Sequence, residues 1–208
     1  MIARVAFASC YVYSPAGEGA VCARSRLLRT FLKGGDARFM IKYAVRVRKQ
    51  SEPSSLLAGF FLSDDVLVPV PGSQPKIGGT WAAAELAHAL VREGVGSLVW
   101  LGLRRAYAVR KSATSTKGRR PTVARHYDSF RLEPSALRLQ NVVLIDDVIT
   151  RGRTLLAAAT RVREAIPGAQ VRAFALLRTM GLTDGVQNLL APCRGEIRWI
   201  RGDAHRIP

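Results

Sequence analysis

Acidic residues and cysteines are scarce in this chain. Its 208 residues hold 15 Asp and Glu against 32 Lys and Arg, which gives a formal net charge of +17. The three cysteines, Cys10, Cys22 and Cys193, are widely separated and form neither a disulfide framework nor a pair of metal ligands. We therefore expect the protein to work in a reducing, cytoplasmic environment.

Long apolar runs are also missing. No apolar segment reaches the ~18 residues that a membrane-spanning helix needs, so we expect no membrane partner. A hydrophobic content of 48% argues against disorder, and 208 residues suit a single domain with a substantial core. We predict one domain over residues 1–208.

The excess of cations is the strongest bulk property. An excess of this size is typical of proteins that bind nucleic acid, an acidic membrane surface or a polyphosphate substrate. A GC-rich genome also raises arginine content without any function. The charge therefore favours an anionic partner and leaves nucleic acid open as one.

One stretch, Val142 to Thr154, organises the rest of the chain and reads VVLIDDVITRGRT. The apolar, mostly β-branched residues Val142 to Ile145 predict a buried parallel strand that ends at Asp146 and Asp147. Apolar residues at helical spacing follow Thr154. The pattern predicts a strand, a tight polar loop and a helix.

Such a junction suits a phosphorylated sugar. The first N–H groups of a helix are unpaired and favour an anion, and Gly152 lets the chain approach that anion closely. Thr150 and Thr154 add hydroxyl donors. Asp146 and Asp147 would repel a phosphate, but they can accept hydrogen bonds from a ribose diol or help to hold Mg²⁺. The alternative is a buried strand followed by an acidic turn.

This stretch resembles the phosphoribosyl-pyrophosphate (PRPP) signature of type I phosphoribosyltransferases at each of its positions. The resemblance implies an α/β, three-layer, Rossmann-like fold with a central parallel sheet, a flexible loop and a small hood. It implies that Asp146 and Asp147 are the catalytic pair, hold the ribose 2′- and 3′-hydroxyls, and contact Mg²⁺ indirectly through PRPP and water. The PRPP-binding residues implied are Asp146, Asp147, Val148, Ile149, Thr150, Arg151, Gly152, Arg153 and Thr154.

A second strand-to-loop junction follows Asp65 to Pro71. Backbone N–H groups in the loop from Gly72 to Lys76 can cradle pyrophosphate, although a plain strand-to-helix turn is the alternative. A predicted strand from Ser97 to Leu103 would deliver two arginines to the ligand edge of the sheet. The predicted pyrophosphate-binding residues are Pro71, Gly72, Ser73, Arg104, Arg105 and Lys111.

The segment from Ala106 to about Asp128 is long, basic and without a core pattern. Loops of this length in a compact domain are usually functional or disordered. The family resemblance implies a mobile flap that closes over PRPP and shields the reacting centre from water. A nucleic-acid-binding arm is the rival use of the same cations.

The remaining segments carry weaker signals. We predict an irregular start through Ala23, apart from a first strand or loop at the opening residues. We expect Trp199 to be a core residue, with stacking on a base as the alternative, and His126 and His205 to be structural or exposed rather than catalytic. Residues 1–60 and 179–208 would build the hood, around a core at 64–178. We predict one helix that starts at Ser25 as its N-cap and ends at Gly34-Gly35. Further helices are predicted over 36–49, 54–61, 80–93 and 186–190. Strands are predicted over 129–133, 171–177 and 196–200.

A closer resemblance is to ComF proteins, which are associated with DNA uptake. It rests on Ile41-Lys42-Tyr43, the sequence DVLVPVP, a basic loop ending at Phe130 and the PRPP signature. ComF proteins usually open with paired-cysteine zinc ligands, which are missing here, so zinc is not expected.

The predicted function is Mg²⁺-dependent transfer of ribose 5-phosphate from PRPP to a nitrogen acceptor, a nucleobase or a related amine, with release of pyrophosphate. The alternative is a non-catalytic protein that senses PRPP or a nucleotide and binds nucleic acid through its basic surface. The resemblance also leaves a homodimer open.

Overall fold

A computed structural model describes residues 1–75, 81–110, 120–135, 139–181 and 186–208. The strands are β1 (Arg4–Tyr13), β2 (Val66–Pro69), β3 (Leu98–Val99), β4 (Leu103–Arg105), β5 (Phe130–Leu132), β6 (Asn141–Ile149), β7 (Gln170–Thr179), β8 (Leu190–Ile200) and β9 (Asp203–Ile207). The helices are α1 (Ala20–Gly34), α2 (Ala37–Gln50), α3 (Ala82–Arg92), α4 (Val123–Ser129) and α5 (Arg153–Ala165).

Seven strands form the main sheet, in the order β3-β2-β6-β7-β1-β8-β9. The first five of these strands run parallel to one another, and β8 and β9 add antiparallel pairs at one edge. The short strands β4 and β5 pair with each other in a separate antiparallel ribbon. The chain is thus an α/β protein with a mostly parallel central sheet.

Helices cover both faces of this sheet and make three layers. On one face, α5 and Val123 of α4 join a core that includes Val142 and Leu144 of β6. On the other face, α1, α2 and α3 pack against Val143 and Ile145. Because successive strand residues point to opposite faces, the apolar run of β6 is buried on both sides.

The two predicted ligand loops leave the sheet side by side. Strands β2 and β6 are parallel neighbours in which Pro69 lies opposite Ile145. The ladder continues for one more bond, from the Val70 N–H to the Ile145 carbonyl at 2.8 Å. Carboxyl ends of parallel strands share one edge, so the loop after β2 and the loop after β6 meet there.

Several predicted elements are confirmed. The helix predicted from Asp36 is α2, with the Asp36 carboxylate accepting hydrogen bonds from the N–H groups of Arg38 and Phe39 as its N-cap. The structure also contains the predicted helices at α3 and α5 and the strands at β2, β5, β6 and β7.

The opening residues form β1, which confirms the first strand that was one of the two alternatives for them and contradicts the irregular structure predicted as far as Ala23. This strand is paired with β7 on one side and β8 on the other, and it is buried along most of its length. Helix α1 also begins earlier than predicted, at Ala20. Ser25 is therefore inside that helix, where its hydroxyl donates to the Cys22 carbonyl, and it is not an N-cap.

Three further boundaries differ. The predicted helix over 54–61 is a series of turns, and the predicted helix over 186–190 gives way to β8, which starts at Leu190. The predicted strand over 97–103 divides after Val99, because the following residues turn away to pair with β5. The loop predicted over 106–128 ends in α4, whose Val123 and His126 are buried. Positions 111–119 of this predicted loop, including Lys111, lie outside the described residues.

Candidate functional site

The turn from Thr150 to Gly152 presents the start of α5 to an open cleft. Gly152 is the N-cap of that helix and has a φ of 88°, in the left-handed region that glycine tolerates best. A Cβ at this position would come within 2.7 Å of the Ile197 side chain of β8. Both the backbone conformation and the packing therefore require glycine here, which keeps the first N–H groups of α5 open to an anion.

The cleft has a volume of about 420 Å³, counted out to its open mouth. Thr150 and Thr154 bring hydroxyl groups to its wall. Arg120, at the end of the basic segment, adds a cation. The lining residues are Arg120, Asp146, Val148, Ile149, Thr150, Arg151, Gly152, Arg153, Thr154 and Leu155. This set contains eight of the nine residues predicted to bind PRPP.

Two arginines of the loop share one carboxylate. Arg153 donates from Nε to Asp203 Oδ1 at 2.6 Å and from Nη2 to Oδ2 at 2.5 Å, and Arg151 Nη1 lies 3.2 Å from the same Oδ2. The hydrogen bond from Arg153 holds the pKa of Asp203 below its usual range. The loop therefore offers an anion mainly backbone N–H groups and threonine hydroxyls.

Asp146 is the acidic residue among the described residues that line this cleft. Its Oδ1 accepts a hydrogen bond from the Asp147 N–H at 2.8 Å. Burial, and then the neighbouring Asp147 carboxylate, raise the pKa of Asp146 well above its ordinary value. A group whose ionised form is this poorly solvated gains from hydroxyl donors or a nearby cation.

Asp147 faces the other side of the sheet. It is 7% exposed, and its carboxylate forms an ion pair with Lys33 of α1. The strand does not stop at Ile145 as predicted, since β6 continues to Ile149 and keeps pairing with β7 beyond the two acids. Consecutive residues of an extended strand alternate in direction, so each carboxylate has its own main partner, although the two remain close enough for Asp147 to raise the pKa of Asp146.

The second loop is held by a buried arginine. Arg105 is 7% exposed, its Nε donates to the Gly72 carbonyl, and its guanidinium carbon lies 4.3 Å from the centre of the Phe130 ring. The Val109 N–H also binds this loop, through the Ser73 carbonyl at 2.8 Å. Arg105 thus fixes Gly72, and the Val109 N–H fixes Ser73.

Arg105 forms no ion pair with a carboxylate of the described part of the chain. Burial lowers the pKa of Arg105 to about 10, and the charge of Asp146 opposes that effect. An arginine remains protonated even so, because this pKa lies well above neutrality. A buried cation without a paired anion is a favourable place for a phosphate group.

Arg104 is not brought to the same place. It alternates with Arg105 along β4, is exposed, and forms an ion pair with Glu133 at 2.5 Å between Nε and Oε1. Lys76 and Lys111 lie outside the described residues. Of the predicted pyrophosphate-binding arginines, the structure brings Arg105 to the Gly72 loop and turns Arg104 away from it.

The described side chains do not by themselves build a resident metal site. Within the described ranges, no group of three or more His, Cys, Asp or Glu side chains could hold a metal ion. Mg²⁺ takes its oxygen ligands largely from water and substrate phosphates in many enzymes, with one or two carboxylates from the protein. Asp146 fits that smaller role.

Three residues of this region were not predicted from the sequence. Lys33 lies on α1 and Asp203 on β9, and each meets a residue of the signature that is at least fifty positions away in the chain. Arg120 was noted as part of a basic segment, without a place in the site. No local pattern predicts these pairings, since they depend on how distant elements pack.

No helix in the described parts of the chain combines the length and the apolar character needed to cross a membrane. Comparison of the sequence with protein-family models and with curated proteins found no match.

Proposed function

We propose that the protein is a Mg²⁺-dependent phosphoribosyltransferase of the type I fold. It would move ribose 5-phosphate from PRPP to a nitrogen acceptor and release pyrophosphate. The observation that carries the proposal is the meeting of three features at one sheet edge. These are the open N-terminus of α5 at Gly152, the half-buried carboxylate of Asp146, and the loop held by the unpaired cation of Arg105.

The 5′-phosphate of PRPP would bind at the start of α5. The backbone N–H groups there and the hydroxyls of Thr150 and Thr154 supply donors for its oxygens. Arg151 and Arg153 already share Asp203, so their contribution is to hold the loop in shape. Arg120 would add charge from the cleft wall.

The ribose would lie between that phosphate and Asp146. Its hydroxyl groups can donate to the Asp146 carboxylate, which relieves the poor solvation that raises the pKa of this group. Asp147 reaches the second hydroxyl only if it exchanges Lys33 for the sugar. Mg²⁺, held mainly by pyrophosphate oxygens and water, would neutralise charge on the leaving group.

The pyrophosphate would lie over the loop of Gly72 and Ser73, near Arg105. In the reaction the acceptor nitrogen forms a bond to C1 of the ribose while the bond from C1 to the pyrophosphate oxygen breaks, and the electron pair leaves with that oxygen. The N–H proton that the acceptor then loses passes to water. Positive charge develops on the sugar and negative charge on the leaving group. Positioning and charge compensation therefore supply the catalysis, and no covalent nucleophile is needed.

The test is consumption of PRPP with a panel of nucleobases, ammonia and simple amines. Pyrophosphate release is measured with and without Mg²⁺. We expect Mg²⁺-dependent release with at least one acceptor and its loss in Asp146→Asn. Absence of both PRPP binding and pyrophosphate release would contradict the proposal.

Helix α2 supports a second candidate function, binding of nucleic acid. Arg38, Lys42, Arg46 and Lys49 follow one another at helical spacing on the exposed side of this helix, and they form no ion pair with the described carboxylates. A row of cations of this kind matches a phosphate backbone. Binding of an oligonucleotide that weakens steeply with salt, and that Lys42→Glu abolishes without affecting PRPP binding, would favour this role; no binding at low salt would exclude it.

A further inference from the structure

A buried histidine connects the two ligand loops. His126 of α4 is 4% exposed and lies between Arg105 and Thr154. Arg105 Nη2 is 3.3 Å from His126 Nδ1, and His126 Nε2 is 3.5 Å from Thr154 Oγ1. Arg105 in turn binds the Gly72 carbonyl, so one chain of side chains runs from the pyrophosphate loop to the phosphate loop.

The direction of each hydrogen bond follows from the chemistry of its groups. A guanidinium can only donate, so His126 Nδ1 accepts from Arg105. The ring then carries its proton on Nε2, which faces Thr154 as a donor. Thr154 Oγ1 accepts there, which leaves the hydroxyl hydrogen of Thr154 free to point at a phosphate oxygen.

The surroundings favour the neutral ring. Burial, together with the charges of Arg105 and Arg153, lowers the pKa of His126 to about 3. Asp146 is the nearby acid, and its charge acts on Arg105, whose pKa it raises. A protonated ring would have to donate from Nδ1 toward a cation, so the imidazole remains neutral at physiological pH.

Arg105 is fixed from the other side as well. Its Nη1 donates to Ser129 Oγ at 2.5 Å, and the Ser129 hydroxyl donates to the His126 carbonyl at 2.6 Å. Three of the five guanidinium N–H groups are therefore used by Gly72, Ser129 and His126, and within the described part of the chain the other two are left for a ligand. The same side chain that orients His126 can thus also bind an anion.

We infer that His126 is a positioning residue. Its imidazole accepts a hydrogen bond from Arg105 and donates one to the Thr154 hydroxyl, so the position of Arg105 at one anion subsite fixes the orientation of the hydroxyl at the other. The inference rests on the proposed function, because it assumes that PRPP occupies both subsites. The distance to Thr154 is long for a hydrogen bond, and we expect it to shorten when phosphate binds.

The first experiment needs no variant. Nitrogen-15 NMR of the ligand-free protein reports the tautomer of each of its three histidines. We expect His126 to be neutral and protonated on Nε2 from pH 5 to pH 8. A ring protonated on Nδ1, or one that titrates in that range, would overturn the inference.

The second experiment separates the two hydrogen bonds of the ring by calorimetric titration with Mg²⁺ and PRPP. His126→Asn keeps an acceptor near Nδ1 but cannot reach Thr154, whereas His126→Gln places an amide near Nε2. We expect Asn to weaken PRPP binding about tenfold, as for loss of a hydrogen bond to a charged ligand. We expect Gln to retain most of the affinity, and His205→Asn, at an exposed position, to change nothing.

Energetic coupling between His126 and Thr154 distinguishes a positioning role of His126 from a purely structural one. In the His126→Asn background, Thr154→Val should cause no further loss of affinity, because the hydroxyl is already misdirected. Additive losses, or an Asn variant that binds like the wild type, would overturn the inference alone. A wild-type protein that fails to bind PRPP would instead contradict the proposed function. If the Asn variant is unfolded by circular dichroism, the NMR tautomer decides.

Discussion

Lys33 Nζ forms an ion pair with the carboxylate of Asp147, while the adjacent Asp146 opens on the ligand cleft. The two acids of the signature are thus in different environments. One carboxylate is already matched by a cation from α1, and the other is held at the cleft with a raised pKa. This asymmetry assigns the two acids different contributions to stability and to ligand binding.

Removing Lys33 should destabilise the protein through Asp147. Lys33→Met leaves a 7% exposed carboxylate without its cation, and the double variant Lys33→Met/Asp147→Asn should recover most of the loss. Because Lys33 is half exposed, we expect the free energy of unfolding to fall by about 1 kcal/mol, which lowers the unfolding midpoint by roughly 2–4 °C. The control is Lys42→Met, which removes an exposed lysine of α2. Calorimetry gives the unfolding midpoints of both single variants, and equal midpoints would refute the prediction.

Asp146→Asn should stabilise the protein while it removes ligand binding. The folded-state pKa of Asp146 is raised, so its ionisation destabilises the fold as pH rises from about 3.9, the ordinary value, toward the folded pKa. The variant should melt higher than the wild type at pH 7, by a few degrees, and the difference should disappear below about pH 4. A lower midpoint at pH 7 would show that the carboxylate is stabilising.

Gly152→Ala should destabilise the turn before α5 by more than the left-handed backbone conformation alone would cause. Gly152 and Gly168 share a φ of +88°, but only the Cβ at 152 would meet another side chain, that of Ile197 at 2.7 Å. Gly168→Ala is therefore a matched control that isolates the backbone strain, about 1 kcal/mol. We expect Gly152→Ala to lose at least twice as much stability in urea unfolding and to weaken phosphate binding; equal losses would contradict this.

Asp203→Asn should loosen the loop in a pH-dependent way. The pKa of Asp203 is lowered by Arg153, so its stabilising effect is present above about pH 4 and is lost as pH falls through the folded pKa. The variant should melt below the wild type at pH 7, and the two unfolding midpoints should converge as pH falls through the folded-state pKa of Asp203. Glu196→Gln, which removes a partly exposed partner of Arg4 and Arg198, is the control for general charge loss.

The sequence predicted those parts of the site that depend on neighbours in the chain. Strand β6, the Gly152 turn and α5 follow from apolar runs and helical spacing, and they were placed correctly apart from the length of β6. The strand continues through the two acids because Val148 and Ile149 still pair with β7. A carboxylate pair does not end a strand when its neighbouring strand offers hydrogen bonds beyond it.

What could not be predicted depends on contacts between distant segments. The opening strand β1 is central in the sheet, yet the turn residues that follow Tyr13 made the segment look irregular. Lys33 and Asp203 reach the signature from α1 and β9, at opposite ends of the chain. Their roles appear only when the sheet brings both ends beside β6 and α5.

The most direct test of the central claim is a calorimetric titration of PRPP, with Mg²⁺, into the wild type and Asp146→Asn. Asp128→Asn, at an exposed position of α4, is the matched control. We predict saturable binding at one site in the wild type and in the control, and at least tenfold weaker binding in Asp146→Asn. Equal binding by all three proteins, or no binding by the wild type, would contradict a sugar-phosphate site at this edge of the sheet.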